Sequence, residues 1–399
     1  MSSVVRSAAP AAATGAARIE TITDPAGFHA MREEWAELLE SSASDCVFLS
    51  WEWLSTWWKH LGGGRQLDLI AVRQGGELIG LAPLMVGRPR LGRLIPWRTR
   101  EFLGTGSVGS DYLDVIVRRG HESGALDALA AHLAGEELVL RLDQVNRRSC
   151  AALELAARLA RRGWARTERA SNVCPFIDLR GLTWDSYRAS LEPEHRYNCK
   201  RRLSALTKRF DTRLEQVASE AERPDALAAL VALHIERWNG RGGSTALRGA
   251  KVVAFHEEVT RLALERGWLR LFVLHLDGKP VAALYGFRYR HVFSFYQSGF
   301  DPSYSRYSVG QATLALTIKD ALEEGAAEYD FLHGDERYKF NWARQVRELG
   351  RLELYPPSAR GWLCRRTVAL DRAARSTARR LLPGSVADWV ARRAERVLT

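Results

Sequence analysis

The stretch Leu269–Tyr289 reads LRLFVLHLDGKPVAALYGFRY, two apolar runs joined by Asp-Gly-Lys-Pro. Apolar runs on either side of a turn that contains Asp and Gly are typical of a β-hairpin. A second such stretch, Leu67–Val86, reads LDLIAVRQGGELIGLAPLMV, with Gly-Gly at its turn. The two stretches start 202 residues apart, at Leu67 and Leu269. A supersecondary pattern that recurs at a fixed offset predicts a duplicated architecture.

Working outward from the hairpins, apolar residues at helical spacing predict two helices before each of them. These are Phe28–Leu39 and Trp51–Leu61 in the first half, and Asp225–Trp238 and Lys251–Arg266 in the second. After the second hairpin the pattern predicts, in order, a strand His291–Gly299, a helix Val309–Glu324, a strand Glu328–Leu332, a helix Arg337–Gln345 and a strand Arg351–Tyr355. The fold class that follows is α/β (α+β), with two similar domains, each a mixed and mostly antiparallel sheet flanked by helices.

The 399 residues exceed one ordinary core and fit two domains. We predict a flexible tail at 1–17, domains at 18–170 and 171–357, and a basic helical tail at 358–399. The sequence contains no run of about 18 apolar residues, so no membrane span is predicted. Five cysteines far apart in sequence suggest neither a disulfide framework nor a metal site and fit a cytoplasmic protein.

The net charge of +11 is concentrated near the carboxyl end, where residues 358–399 contain ten arginines and three acidic residues. Such a surplus attracts phosphates, nucleic acid or an anionic membrane face, although a solvated basic surface is the commoner explanation. The basic run His195–Arg209 has the same two interpretations. Its buried line of Cys199, Leu203 and Leu206 favours an ordinary amphipathic helix over nucleic-acid binding.

The segment 305–312, SRYSVGQA, is predicted to be the turn into a helix. Unpaired backbone amides and the helix dipole make such a start a site for phosphate, and Gly310 would allow close approach. An ordinary tight connection is the alternative.

The segment 329–342, YDFLHGDERYKFNW, follows a predicted strand and is dense in groups that serve as acids and bases. Asp335 and Glu336 would equally serve as caps of the next helix.

Two further motifs need no ligand to explain them. Gly104–Gly109 has the spacing G-x-G-x-x-G, but Asp111–Val117 after it alternates like a strand, whereas a dinucleotide site requires a helix there. Ser110, Asp111 and Tyr112 are better interpreted as a wall of a substrate cleft. The tryptophans of Trp51–Leu61 lie at core spacing, which favours packing over stacking on a sugar or base.

Several motifs together resemble the GNAT-superfamily acetyltransferases of the cellulose-biosynthesis CelD type, which are relatives of the FemABX aminoacyltransferases. They are 296–302, YQSGFDP; 307–310, YSVG; and 330–336, DFLHGDE, followed by Tyr338, Lys339 and Trp342. The resemblance is strong over 176–355 and looser around Phe48–Trp51 and Trp57 in the first half.

The resemblance implies twin acyl-CoA N-acyltransferase domains, the second binding the donor and the first helping to form the acceptor cleft. GNAT enzymes hold the CoA pyrophosphate on a Q/R-x-x-G-x-G/A loop, to which Tyr307, Gly310 and Ala312 correspond, with Arg306 beside the missing Gln or Arg. The residues implied to bind the cofactor are Arg306, Tyr307, Ser308, Val309, Gly310, Gln311 and Ala312. Those implied to form the substrate cleft are Asp111, Tyr112, Tyr296, Asp301, Asp330 and His333.

The expected reaction is direct attack of an amine or hydroxyl acceptor on the thioester of acetyl-CoA or another acyl-CoA, without a metal. Asp335 or Glu336 would be the base or the group that positions its water, Lys339 the charge stabiliser and Tyr338 the acid. The acceptor could be a sugar or envelope precursor, and the basic tail could contact a membrane surface or a partner. The alternatives are aminoacyl transfer from tRNA and a non-catalytic accessory subunit of polysaccharide or envelope assembly.

Overall fold

The structure, a computed structural model, describes residues 15–87, 90–91, 96–106, 108–239 and 247–381. Most of the predicted tail at 1–17, the glycine-rich 240–246 and the end of the basic tail lie outside the described residues. The elements of the first half are β1 (Arg18–Ile22), α1 (Pro25–Ala30), α2 (Arg32–Glu40), α3 (Trp51–Leu61), β2 (Gln66–Gln74), β3 (Glu77–Val86), β4 (Arg90–Leu91), β5 (Pro96–Trp97), β6 (Thr99–Phe102), β7 (Ile116–Val117), α4 (Glu122–Ala134), β8 (Val139–Asn146), α5 (Ala151–Arg161) and β9 (Ala165–Asp178).

The second half repeats this order after two helices of its own. Its elements are α6 (Trp184–Ser190), α7 (Pro193–Arg209), β10 (Thr212–Gln216), α8 (Arg223–Asn239), α9 (Ala250–Glu265), β11 (Leu269–Leu276), β12 (Lys279–Tyr289), β13 (Val292–Phe300), α10 (Val309–Glu323), β14 (Glu328–Asp330), α11 (Arg337–Phe340), β15 (Gln345–Tyr355) and α12 (Ala359–Leu381). The fold is mixed α/β with a mostly antiparallel sheet flanked by helices, as the sequence predicted.

One large sheet runs through both halves, in the order β1-β2-β3-β6-β8-β15-β9-β14-β13-β12-β11-β10. The order is a palindrome of equivalent strands, because β1 corresponds to β10, β2 to β11, β3 to β12, β6 to β13 and β8 to β14. At its centre the last strands are exchanged. Strand β15 of the second half pairs with β8 of the first, and β9 of the first pairs with β14 of the second. The proposed boundary between 170 and 171 therefore falls inside β9.

The two equivalent helices α3 and α9 pack against each other beside this sheet. Trp53 of α3 is fully buried and meets Phe255 of α9 edge to face, with ring centroids 5.0 Å apart. At the helix ends, Lys59 and His60 both bind the carboxylate of Glu258. The tryptophan cluster of α3 is thus core, as its spacing predicted.

The hairpins β2–β3 and β11–β12 and the helix Trp51–Leu61 are confirmed. Several predicted elements were wrong in extent. The strand predicted at Arg351–Tyr355 begins at Gln345, and the strand predicted at Glu328–Leu332 ends at Asp330. The helix predicted at Phe28–Leu39 is two helices that meet at Met31. The strand predicted at Asp111–Val117 is reduced to Ile116–Val117, because the positive φ of 57° at Tyr112 interrupts the extended backbone. The helix predicted to end at Gln345 ends at Phe340, because Gln345 already pairs with Phe176 in the sheet.

Candidate active site

A cleft lies against the part of β13 that has separated from β14. The two strands run parallel and pair at only three positions, Val292–Ser294 against Glu328–Asp330, and then diverge. The cleft, of about 240 Å³, lies between the second part of β13 and the start of helix α10. Its lining includes Arg237, Phe295, Ser298, Gly299, Gly310, Gln311 and Tyr338.

Helix α10 enters this cleft with an uncapped amino end. Ser308, which precedes it, has the left-handed φ of 55°, and its side chain makes no capping hydrogen bond. Within the described residues the N–H groups of Val309 and Gly310 have no intramolecular acceptor. A Cβ at Gly310 would stand 3.0 Å from the Phe300 ring, so the helix start is packed closely against β13. Free amides at a helix start favour an anion.

The predicted cofactor segment is divided by the structure. Ser308, Val309, Gly310 and Gln311 line the cleft. Arg306 and Tyr307 stand outside the lining, and the Arg306 guanidinium stacks on the Tyr307 ring at 4.6 Å. Ala312 is buried and packs in the core.

Arg237 is a cleft residue that the sequence analysis did not identify. Its Nη1 donates to the hydroxyl of Ser298 at 3.1 Å, and its guanidinium lies 5.0 Å from the Phe300 ring centroid. Helix α8 can bring Arg237 into the cleft because Gly299 lets the helix lie against β13. A Cβ on Gly299 would be 2.3 Å from the backbone nitrogen of His234. Only this glycine, within the motif YQSGFDP, hinted at the close approach.

The structure joins Asp111 and His333, which are 222 residues apart in sequence. Asp111 is fully buried and accepts from the His333 ring Nδ1 at 2.8 Å and from the His333 backbone N–H at 2.8 Å. Gln144 donates to the same carboxylate at 3.2 Å. The hydrogen bond that His333 donates to Asp111 raises the pKa of His333 above its usual value, while burial opposes this.

Tyr112 and Asp330 form a second contact between the halves. The Tyr112 hydroxyl donates to Asp330 at 2.6 Å, and the Asp330 carboxylate also accepts from the Leu332 backbone N–H at 2.7 Å. Burial raises the pKa of Asp330 to about 7, with the charge of Glu328 acting in the same direction and Arg347 opposing it. Asp330 therefore ties the loop after β14 to the first half.

Lys339 holds the loop between β14 and α11. Its ammonium is almost fully buried and donates to the His333 carbonyl at 2.7 Å and to Glu336 at 2.9 Å. Burial favours the neutral form of Glu336, but Lys339 outweighs it and lowers the Glu336 pKa. A Cβ at Gly334 would lie 2.2 Å from Glu336 and 2.7 Å from the Lys339 ammonium, so this ion pair requires glycine.

The remaining predicted residues are placed differently. Tyr338 lines the cleft, and burial raises its pKa so that it stays protonated. Asp335 is exposed. Tyr296 packs among Trp53 and other aromatic rings, and its hydroxyl donates to the Val108 carbonyl. Asp301 stands at the opposite end of β13 from Ser294 and binds Lys279 and Ser303, apart from the Asp111–His333 pair.

The described residues contain no cluster of three or more His, Cys, Asp or Glu side chains arranged to hold a metal ion. Over the same ranges, no helix combines the length and the apolar character that crossing a bilayer requires.

Comparison with known proteins agrees with this geometry. Residues 193–340, which contain the cleft and the His333 loop, match the family model described as an acetyltransferase (GNAT) domain. A comparison with curated proteins found no match. The protein is therefore an enzyme of the acyltransferase class whose second half carries a GNAT acetyltransferase domain.

Among solved structures, the chain is similar to FemX, with 15% identity and a TM-score of 0.59 over 84% of this chain and 96% of that one. It is also similar to L-PGS from Bacillus licheniformis, with 14% identity and a TM-score of 0.50 over 86% of this chain and 95% of that one. At these identities the likeness establishes a shared fold that extends over both halves.

Proposed function

We propose that this protein transfers an acyl group, acetyl in the first instance, from an acyl-CoA to an amine or hydroxyl acceptor. The observation that carries the proposal is the uncapped start of α10 in the cleft beside the second part of β13. The amides of Val309 and Gly310 would receive the donor's phosphates, and Arg237 would add a positive charge beside them. The thioester would then lie along β13, with Tyr338 near the leaving sulfur.

The chemistry requires three tasks from this chain's residues. The acceptor must lose a proton, the carbonyl oxygen must be stabilised as charge develops, and the departing thiolate must gain a proton. Tyr338, protonated and in the cleft, is the proposed acid. Lys339 is held by Glu336 and the His333 carbonyl, so its role in the proposal is to fix the loop on which these groups stand.

The donor is tested by isothermal titration calorimetry with CoA, acetyl-CoA and longer acyl-CoAs, followed by thiol release in the presence of an amino sugar, a diamine and a free amino acid. Binding of CoA together with acceptor-dependent thiol release is the expected result. Lack of binding by every CoA species would contradict the proposal. Aminoacyl-tRNA is included as the alternative donor, since the FemABX resemblance suggests it.

The acceptor is proposed to be a sugar or envelope precursor, and the reaction to take place in the cytoplasm, on the basis of the CelD-type resemblance. Helix α12 would bring the enzyme to a membrane surface, because Trp362 and Leu370 on it are 59% and 70% exposed beside several arginines. Cosedimentation with vesicles of anionic and of neutral lipid tests this contact. Equal binding to both would argue against it.

A further inference from the structure

We propose that His333 is the general base of the acyl transfer and that Asp111, supplied by the first half of the chain, orients it. This inference rests on the proposed function, because it names the group that activates the acceptor. It also gives the first half a chemical reason to be present, since the matched domain at 193–340 contains the histidine but not its carboxylate partner.

The hydrogen bonds fix one tautomer of the His333 ring. The Asp111 carboxylate can only accept, and its two oxygens lie 2.8 and 2.9 Å from Nδ1, so Nδ1 carries the hydrogen. In the neutral ring Nε2 then holds the free lone pair, and within the described part of the chain Nε2 has no hydrogen-bond partner. The side chain is 39% exposed while Asp111 is fully buried. An imidazole of this kind is ready to take a proton from a bound acceptor.

Backbone contacts from both halves of the chain hold the ring in place. Gly109 has a positive φ of 58°, and a Cβ there would stand 2.8 Å from the ring Cε1. The glycine backbone of the first half therefore lies directly against the imidazole. In the second half, the backbone of His333 itself is fixed. The His333 carbonyl accepts from Lys339, and the His333 N–H donates to Asp111. The ring has little freedom to turn away from the position that these contacts define.

The position of the dyad relates it to the cleft. Strands β13 and β14 part after Ser294 and Asp330, and His333 follows Asp330 by three residues, outside the residues that line the cleft. Phe295, which follows Ser294, lines the cleft. The next residue of β13, Tyr296, donates to the carbonyl of Val108, adjacent to Gly109. The loop that clamps the ring is thus bound to the strand that lines the donor cleft.

Two acidic groups near His333 are bound by other residues, whereas Asp335 is exposed. Glu336 is paired with Lys339, and Asp330 accepts from Tyr112 and the Leu332 N–H. The charged groups that influence His333 are Asp111, which raises its pKa, Lys339, which lowers it, and Glu336, which raises it. Glu336 is about half exposed, but Lys339 binds its carboxylate and lowers its pKa, which makes it a weaker base than the imidazole.

The proposed step is balanced as follows. The acceptor nitrogen forms a bond to the thioester carbonyl carbon, and its proton passes to Nε2 of His333. The resulting imidazolium is stabilised by the Asp111 carboxylate, as in other carboxylate-oriented histidine bases. The carbon–sulfur bond breaks with its electron pair on sulfur, Tyr338 gives its proton to the thiolate, and the imidazolium proton restores the Tyr338 hydroxyl through solvent. The products are the amide, the free CoA thiol and the original imidazole.

The test compares His333→Gln, Asp111→Asn and a matched control, His291→Gln, in which the same substitution is made at an exposed histidine on the turn between β12 and β13. CoA affinity, the pH profile of kcat/KM with acetyl-CoA and an active amine, and the ring nitrogen-15 shifts of His333 are measured on the full chain. We expect H333Q to lower kcat by about 10²–10⁴-fold with CoA affinity kept, and H291Q to change neither.

The pH profile separates a base from a structural histidine. In the wild type kcat/KM should fall as pH drops through the His333 pKa, because the protonated ring cannot accept a proton. Loss of the Asp111 charge should lower that pKa, so the acid limb of D111N should move to lower pH. If D111N does not fold, the nitrogen-15 spectrum of the wild type decides, since it must show hydrogen on Nδ1 and a titrating Nε2.

The outcomes distinguish this inference from the proposed function. A wild-type protein that binds no CoA and releases no thiol would overturn the function itself. Full turnover in H333Q, or an acid limb that is unchanged in a folded D111N, would overturn only the role of the dyad. A wild-type spectrum with hydrogen on Nε2 would overturn it as well.

Discussion

At the scale of single residues, Gly109 and Gly120 offer a matched pair. Both have a positive φ, 58° and 85°. A Cβ on Gly109 would stand 2.8 Å from the His333 ring, whereas a Cβ on Gly120 would have no atom of the described residues within 4 Å. Alanine at either site should cost about 1 kcal/mol of backbone strain. Only G109A should also displace the His333 ring, and we expect at least a tenfold loss of kcat there and none in G120A, with urea unfolding measured in parallel. Equal turnover in the two variants would show that the clamp on the ring has no functional effect.

The sequence named both members of the His333–Asp111 pair but could not join them. Asp111 was predicted to form a cleft wall, and His333 was singled out by its motif, yet 222 residues separate them and no local pattern records a contact at that distance. Arg237 was missed for the same reason, since its place depends on how closely α8 lies on β13. Lys339 was predicted to stabilise charge; the structure shows it bound to the loop, because a buried ammonium needs acceptors.

At the scale of elements, the start of α10 can be probed by a change that should affect stability and binding in opposite directions. Gln311 is in the first turn, lines the cleft, and its side-chain oxygen accepts from the Trp342 indole at 3.2 Å, which glutamate can preserve. The substitution Gln311→Glu places a carboxylate in the first turn and should stabilise the helix by about 0.3–1 kcal/mol. It should also repel the phosphates of CoA, and we expect roughly tenfold weaker binding by calorimetry, since 1.4 kcal/mol is a factor of ten.

Gln216→Glu, on the exposed strand β10, is the control for added charge and should leave CoA affinity unchanged. If Q311E bound CoA as tightly as the wild type, the donor's phosphates would not lie at this helix start.

Local patterning predicted this element well, because the turn and the apolar face of α10 are encoded within a few residues. The separation of β13 from β14 was not predictable, since it depends on pairing between distant strands.

At the scale of the whole molecule, the exchange of β9 and β15 makes the two halves interdependent. Each half places its last strand beside a strand of the other, so the centre of the sheet belongs to both. The duplication itself could be seen in the sequence as the repeated hairpins. The exchange could not, because β15 would satisfy the same alternation of apolar residues in either position. The division into two domains at 170 and 171 remains a proposal, and the shared centre predicts that the two do not unfold separately.

Leu352 tests that interdependence. It is fully buried in β15, where it pairs with Leu142 of β8 and Glu168 of β9. Leu352→Ala should cost about 2–5 kcal/mol, as truncation of a buried leucine does. Because the strand joins both halves, we expect a single unfolding transition at lower denaturant, with amide hydrogen exchange accelerated equally in β2 and β11. Leu271→Ala, the same change at a fully buried leucine of β11, should lower the same transition. Two separate transitions, or faster exchange confined to one half, would show instead that each half folds as its own unit despite the exchanged strands.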